Sequence, residues 1–182
     1  MRHTSTLIAL ALLFSSPLEA AVLNIVAISA SNTFGWGVGS QNAYPAQLQT
    51  IFAQERHPGT VTNAGVLGDT TAGMLRRLDS AVPTGTNIVI LQPGANDLRF
   101  GFSKEQRAAN IAEMVKRLRA HDIRVIVFDP KIPEDLYQWD HIHFNVAAHA
   151  NIAARLAAEI AAKPLARPAT PIATHPASPR QP

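Results

Sequence analysis

The chain has 182 residues, 47% of them hydrophobic and none of them cysteine, with 16 basic and 13 acidic side chains and a formal net charge of +3. That length supports one domain with a sizeable core, and the lack of cysteine excludes disulfides, a thiol nucleophile and thiolate metal sites without arguing against export. Arg2, Lys163, Arg167, Arg180 and Glu19 lie in the flanks, so residues 21–162 hold twelve charges of each sign and lack the basic stripe that a nucleic-acid binder needs.

The chain opens on a polar start, Arg2 and His3, followed by the apolar run Leu7 to Phe14 and by Ala20 at an expected cut. Residues 1–20 therefore read as an export signal, which implies a periplasmic or secreted protein. The run is much shorter than the ~20 residues of a bilayer span, so no stable membrane span is expected after cleavage. Residues 21–162 are the expected folded domain. Residues 163–182, rich in Pro, Ala, Thr and Ser, lack the apolar content that would repay ordering and are expected to be a disordered tail.

Within the domain, Val22 to Ile28 predicts a buried strand, and Gly35 to Gly39 a loop. Tyr44 to Arg56 predicts a helix with Leu48, Ile51 and Phe52 on one face. Val61 to Ala64 reads as a short strand, Thr70 to Leu78 as a short helix, and Asn87 to Leu91 as a third strand. Ser103 and Gln106 form a capping box ahead of a helix whose apolar positions are Ala108, Ile111, Val115 and Leu118. Ile123 to Phe128 predicts a fourth strand, and Asn145 caps a last helix that buries Ile152, Leu156 and Ile160. Strands alternating with helices, each strand expected to be buried on both faces, predict an α/β fold: a parallel sheet between two helical layers.

Ligands of such sheets bind beyond the carboxyl ends of the strands. Four polar segments are expected there: Ser29-Ala30-Ser31-Asn32-Thr33, Asn63 to Thr71, Gln92-Pro93-Gly94-Ala95-Asn96-Asp97, and Asp140-His141-Ile142-His143-Phe144-Asn145. A serine hydroxyl needs a base within hydrogen-bond reach to become a nucleophile, histidine suits that role near neutral pH, and a carboxylate must orient the imidazole. Asp140 and His143 can supply both from one loop. Taken alone, they also read as a capping carboxylate and a surface histidine.

In their order and spacing, these segments resemble the four sequence blocks of the SGNH hydrolases, also called GDSL esterases and lipases, from about Val22 to Ile160. The resemblance implies a flavodoxin-like α/β/α sandwich of about four to five parallel strands. It also implies hydrolysis of carboxylic (acyl) esters through an acyl-serine intermediate, with no cofactor. The implied nucleophile is Ser31, with Ser29 as rival, and the implied acid–base partners are Asp140 and His143. The oxyanion hole would comprise the backbone N–H groups of Ser31 and Gly68 and the Asn96 amide. Gly68, and Asn96 with Asp97, also read as ordinary turn residues.

The first block departs from the family pattern, with Ala30 where Asp is usual. His141 stands at a position that is usually glycine. Only ten residues separate Asp129 from Asp140, which predicts a trimmed four-strand variant with an open site. The expected partner is a small-molecule or acyl ester. A cell-envelope carbohydrate deacetylase and a non-catalytic exported binding protein are the other readings. His141, His143, His149 and Asp140 lie within ten residues and are the one cluster of metal-ligand type, from which no metal is expected.

Overall fold

The computed structural model describes residues 22–165. The export-signal reading of residues 1–20 and all but the first three residues of the tail reading fall outside that range. The element order is β1 (Leu23–Ser29), α1 (Ser31–Phe34), α2 (Tyr44–Gln54), β2 (Gly59–Gly65), α3 (Thr71–Arg76), α4 (Leu78–Ala81), β3 (Ile88–Leu91), α5 (Asn96–Arg99), α6 (Lys104–Arg119), β4 (Arg124–Val127) and α7 (Val146–Ala162). The four strands form a parallel sheet in the order β2-β1-β3-β4. The fold is α/β, as expected.

Alternation along the central strands builds two cores. Ile25 and Ala27 of β1 and Ile88 and Ile90 of β3 face α2 and α7, where Leu48, Phe52, Ile152 and Leu156 meet them. Val26 and Ile28 and, from β3, Val89 and Leu91 face the opposite layer, with Met74, Leu78, Met114 and Leu118. Helices on both faces are what make β1 and β3 continuous apolar runs.

The expectation that every strand is buried on both faces is corrected for β2 and β4. They are the edges of the sheet, each paired on one side only, and both are partly exposed. The stretch read as one helix from Thr70 to Leu78 is two, α3 capped by Thr70 and then α4. The capping box at Ser103 and the Asn145 cap form as predicted, with Gln106 N–H donating to Ser103 Oγ at 3.1 Å and Ala148 N–H to Asn145 Oδ1 at 3.0 Å.

Candidate active site

The sheet order brings the ends of β1 and β3 side by side, and the site grows from both. β1 ends at Ser29, whose hydroxyl donates to the Gln92 carbonyl just past β3. Ser29, the rival nucleophile, is thus buried and engaged. Ser31 follows as the first residue of α1, a single turn closed by Gly35 at φ +94°. A side chain at Gly65 would collide with the backbone of Phe34, so this glycine lets β2 lie against α1. Thr33, fully buried, donates to Gln92 Oε1 at 3.0 Å and lies 3.1 Å from the Tyr44 phenol oxygen. The Asn63 amide donates to the Thr33 carbonyl at 2.7 Å. The Ser31 turn is therefore held by β2, β3 and α2 together.

His143 reaches this turn from a loop, residues 137–145, between a short 3-10 turn (Glu134–Leu136) and α7. Its Nε2 lies 3.0 Å from Ser31 Oγ, and its Nδ1 lies 2.5 Å from Asp140 Oδ2. The other carboxylate oxygen of Asp140 accepts the backbone N–H groups of His143 (2.9 Å) and Ile142 (3.0 Å). The bond from the His143 backbone, followed by the His143 side chain, holds the Asp140 carboxyl down at about 2. An ionised carboxylate facing Nδ1 leaves Nε2 free to accept the serine proton. A hydroxyl, an imidazole and a carboxylate in this chain can perform nucleophilic acyl transfer.

Asn96 begins the short helix α5 rather than an ordinary turn. Its amide donates to the Asp69 carbonyl at 2.8 Å, and it lines the same cavity as Ser31. Gly68 lies one residue before Asp69 in the turn closed by Asp69 N–H donating to the Val66 carbonyl at 3.2 Å. It is not among the residues that line the cavity. Gly68 takes φ +69°, and an added Cβ would meet open space, so the backbone conformation rather than crowding calls for glycine here. Asp97 is fully buried and accepts the Thr71 hydroxyl (2.5 Å) and backbone N–H (3.0 Å). Asp69 accepts Arg77 Nε at 2.8 Å, while Arg77 Nη2 donates to the Ser29 carbonyl at 3.0 Å.

The histidines of the last segment do not converge. His141 takes φ +54°, a left-handed backbone that explains why glycine suits the position, and its exposed imidazole pairs with Glu134. His149 is fully buried, accepts the Tyr44 backbone N–H at Nδ1 (3.2 Å) and packs between Tyr44 and Phe144. Burial pushes its imidazole down to about 4. Among the described residues, no group of three or more His, Asp or Glu side chains is arranged to hold a metal ion.

Sequence reasoning missed two residues that hold the His143 loop. Asn32 Oδ1 accepts the Phe144 N–H at 2.9 Å, and Asn32 Nδ2 donates to the Ile142 carbonyl at 3.3 Å. Gln138 Nε2 donates to the Trp36 and Phe144 carbonyls at 2.8 and 2.9 Å, joining the Gly35–Gly39 loop to the His143 loop. Asn32 adjoins Ser31, which was a usable signal. Gln138 had none, because its partner Trp36 is 102 residues away.

The model of the GDSL-like Lipase/Acylhydrolase family matches residues 30–179 of the chain. The chain is 29% identical over 116 residues to the esterase TesA of Pseudomonas aeruginosa, covering 63% of this chain and 58% of TesA. It is 25% identical over 110 residues to an arylesterase of Vibrio mimicus, covering 60% of this chain and 55% of the arylesterase. The matches thus span little more than half the length of these two relatives. The fold is similar to that of the psychrotrophic esterase EstA from Pseudoalteromonas sp., with a TM-score of 0.68 at 21% identity over 76% of this chain and 97% of that one.

Proposed function

Because the chain belongs to the GDSL-like lipase/acylhydrolase family, we propose that it is a serine esterase acting on acyl esters, with Ser31, His143 and Asp140 as its catalytic triad. The observation that carries this reading is the continuous chain from Ser31 Oγ to His143 Nε2 at 3.0 Å and from His143 Nδ1 to Asp140 at 2.5 Å. The names of the esterase and arylesterase relatives support the same chemistry.

Ser31 Oγ attacks the ester carbonyl carbon as its proton passes to His143 Nε2. The carbonyl oxygen becomes an oxyanion, met by the backbone N–H groups of Ser31 and Gly68 and by the free hydrogen of the Asn96 amide. One such donor is typically worth ~3 kcal/mol in the transition state. The carbon–oxygen bond to the alcohol then breaks, and His143 gives its proton to the departing oxygen. Water enters, loses a proton to His143 and attacks the acyl-serine. The acid leaves as Ser31 recovers its proton. Asp140 remains ionised throughout and stabilises the imidazolium.

The cavity beside Ser31 supports a short acyl group. It measures about 70 Å³ and opens at its rim. An acetyl group fits this volume, which also favours deacetylation of an acetylated alcohol or carbohydrate as the second reading. Export through the 1–20 leader is part of the proposal, supported by the apolar run Leu7 to Phe14 and the small Ala20.

Hydrolysis of p-nitrophenyl acetate by the purified protein, beside Ser31→Ala, tests the function. Turnover that disappears in the variant supports it. Equal rates in both proteins would remove Ser31 from the nucleophile's role, and no turnover in a folded wild type would point to a narrowly specific deacetylase or to the non-catalytic binding protein.

A further inference from the structure

The cavity next to Ser31 has a closed end and an open rim. Buried Ser29, Ala30 and Gln92 form its floor, and exposed Arg99 and Ile142 stand at its mouth. Among the described residues, no acidic side chain lines it, so the Arg99 guanidinium supplies the one formal charge on its wall. Other arginines near the strand ends are committed. Arg77 pairs with Asp69 at 2.8 Å, and Arg107 donates to the Gly94 carbonyl at 3.1 and 3.2 Å. Arg99 has no hydrogen-bond or ion-pair partner among the described residues. It ends α5, but a helix of four residues has too small a dipole to account for a cation there.

A guanidinium cannot lose its charge and presents a planar fork of donors suited to a carboxylate or phosphate. With the acyl end of an ester seated on the small floor beside Ser31, the alcohol part lies at the rim. We infer that Arg99 selects esters whose alcohol part carries a negative charge, the acyl group being small. This inference rests on Ser31 being the acyl-accepting nucleophile. The contact is made at the rim, away from the bonds that form and break. It acts on binding of ester and transition state alike, and so appears in KM more than in kcat.

The test compares 4-acetoxybenzoate with phenyl acetate, two aryl acetates that differ by one remote carboxylate. Each kcat/KM is divided by the ester's own hydroxide-catalysed rate. In the wild type the charged ester should be favoured by about fivefold at low salt, as expected for one partly exposed ion pair. The ratio should fall toward one in Arg99→Gln and in 1 M NaCl, and Arg99→Lys should retain part of it. A ratio near one in the wild type, or one unchanged by Arg99→Gln, overturns the inference while leaving the esterase reading intact. Preference for an aryl hemisuccinate over the butyrate, without preference for 4-acetoxybenzoate, overturns it by putting the charge on the acyl side. Failure of the wild type to hydrolyse either acetate overturns the esterase reading and the inference with it.

Discussion

His143 Nε2 lies 3.0 Å from Ser31 Oγ, although 112 residues separate them in the chain. Neither side chain finds the other by local geometry. Ser31 stands on a single helical turn pinned by Thr33, Gln92 and Asn63, while His143 hangs in a loop held by Asn32 and Gln138. The pair is as good as those supports.

Ser31→Ala should lower kcat on p-nitrophenyl acetate by at least about 10⁴-fold. The side chain is half-buried and its one hydrogen-bond partner is the histidine, so the thermal midpoint should barely move. Steady-state rates and a melting curve on the same sample check both halves.

Asp140→Asn should cost on the order of 10⁴ in kcat, because an amide facing Nδ1 favours the wrong imidazole tautomer. The substitution also has a pH signature. Asp140 is held at about 2 in the fold against 3.8 ordinarily, so its contribution to stability is complete above the unfolded value and is lost as pH falls through about 2. Urea denaturation at pH 2, 3 and 5 should show a shallower acid decline in the variant over that window.

Asn32→Ala should remove two bonds to the His143 loop and leave every reacting group in place. We expect kcat to fall by about tenfold and stability by about 1 kcal/mol. A rate equal to that of the wild type would show that the loop holds its geometry without Asn32.

His149 sets a second pH window, distinct from that of Asp140. Its fold lowers the imidazole to about 4 from 6.5, so the unfolded chain binds the extra proton between those values. Stability should therefore decline as pH falls from 6.5 toward 4 and then cease to depend on this group. In His149→Gln the decline between pH 6.5 and 4 should be shallower, which denaturation midpoints at pH 4.5 and 7.5 would reveal.

The cavity of about 70 Å³ beside Ser31 sets the expected acyl preference. kcat/KM should drop from p-nitrophenyl acetate through butyrate to octanoate, by at least about tenfold overall. Ile142→Ala, which opens the rim, should narrow that gap. A preference for octanoate in the wild type would assign the acyl chain to a different surface.

Much of the molecule was legible because its signals are local. The Ser103–Gln106 box and the Asn145 cap depend on residues three apart, and both form. The runs at β1 and β3 depend on burial on both faces, which an apolar sequence states directly. The edge strands misled for the same reason: β2 mixes Val61 with Thr60, Thr62 and Asn63 because it has one neighbour. Its half-exposure follows from its place in the order β2-β1-β3-β4.

At the site, a three-residue spacing made Asp140 and His143 readable as a pair that one loop can supply, whereas the choice of Ser31 over Ser29 came only from the resemblance to the SGNH hydrolases. The supports were not readable. Gln138 bridges to Trp36 across 102 residues, and Asn96 meets Asp69 across 27. The sequence by itself determined the alternation of elements and the helix caps, because each rests on periodicity or short spacing. The tertiary structure alone decided which strands lie at the edges, that His141 turns to Glu134 while His143 turns to Ser31, and that Arg99 stands without a partner among the described residues at the mouth of the cavity. Those outcomes depend on contacts between segments distant in the chain, whose positions exist only once the sheet has set them side by side.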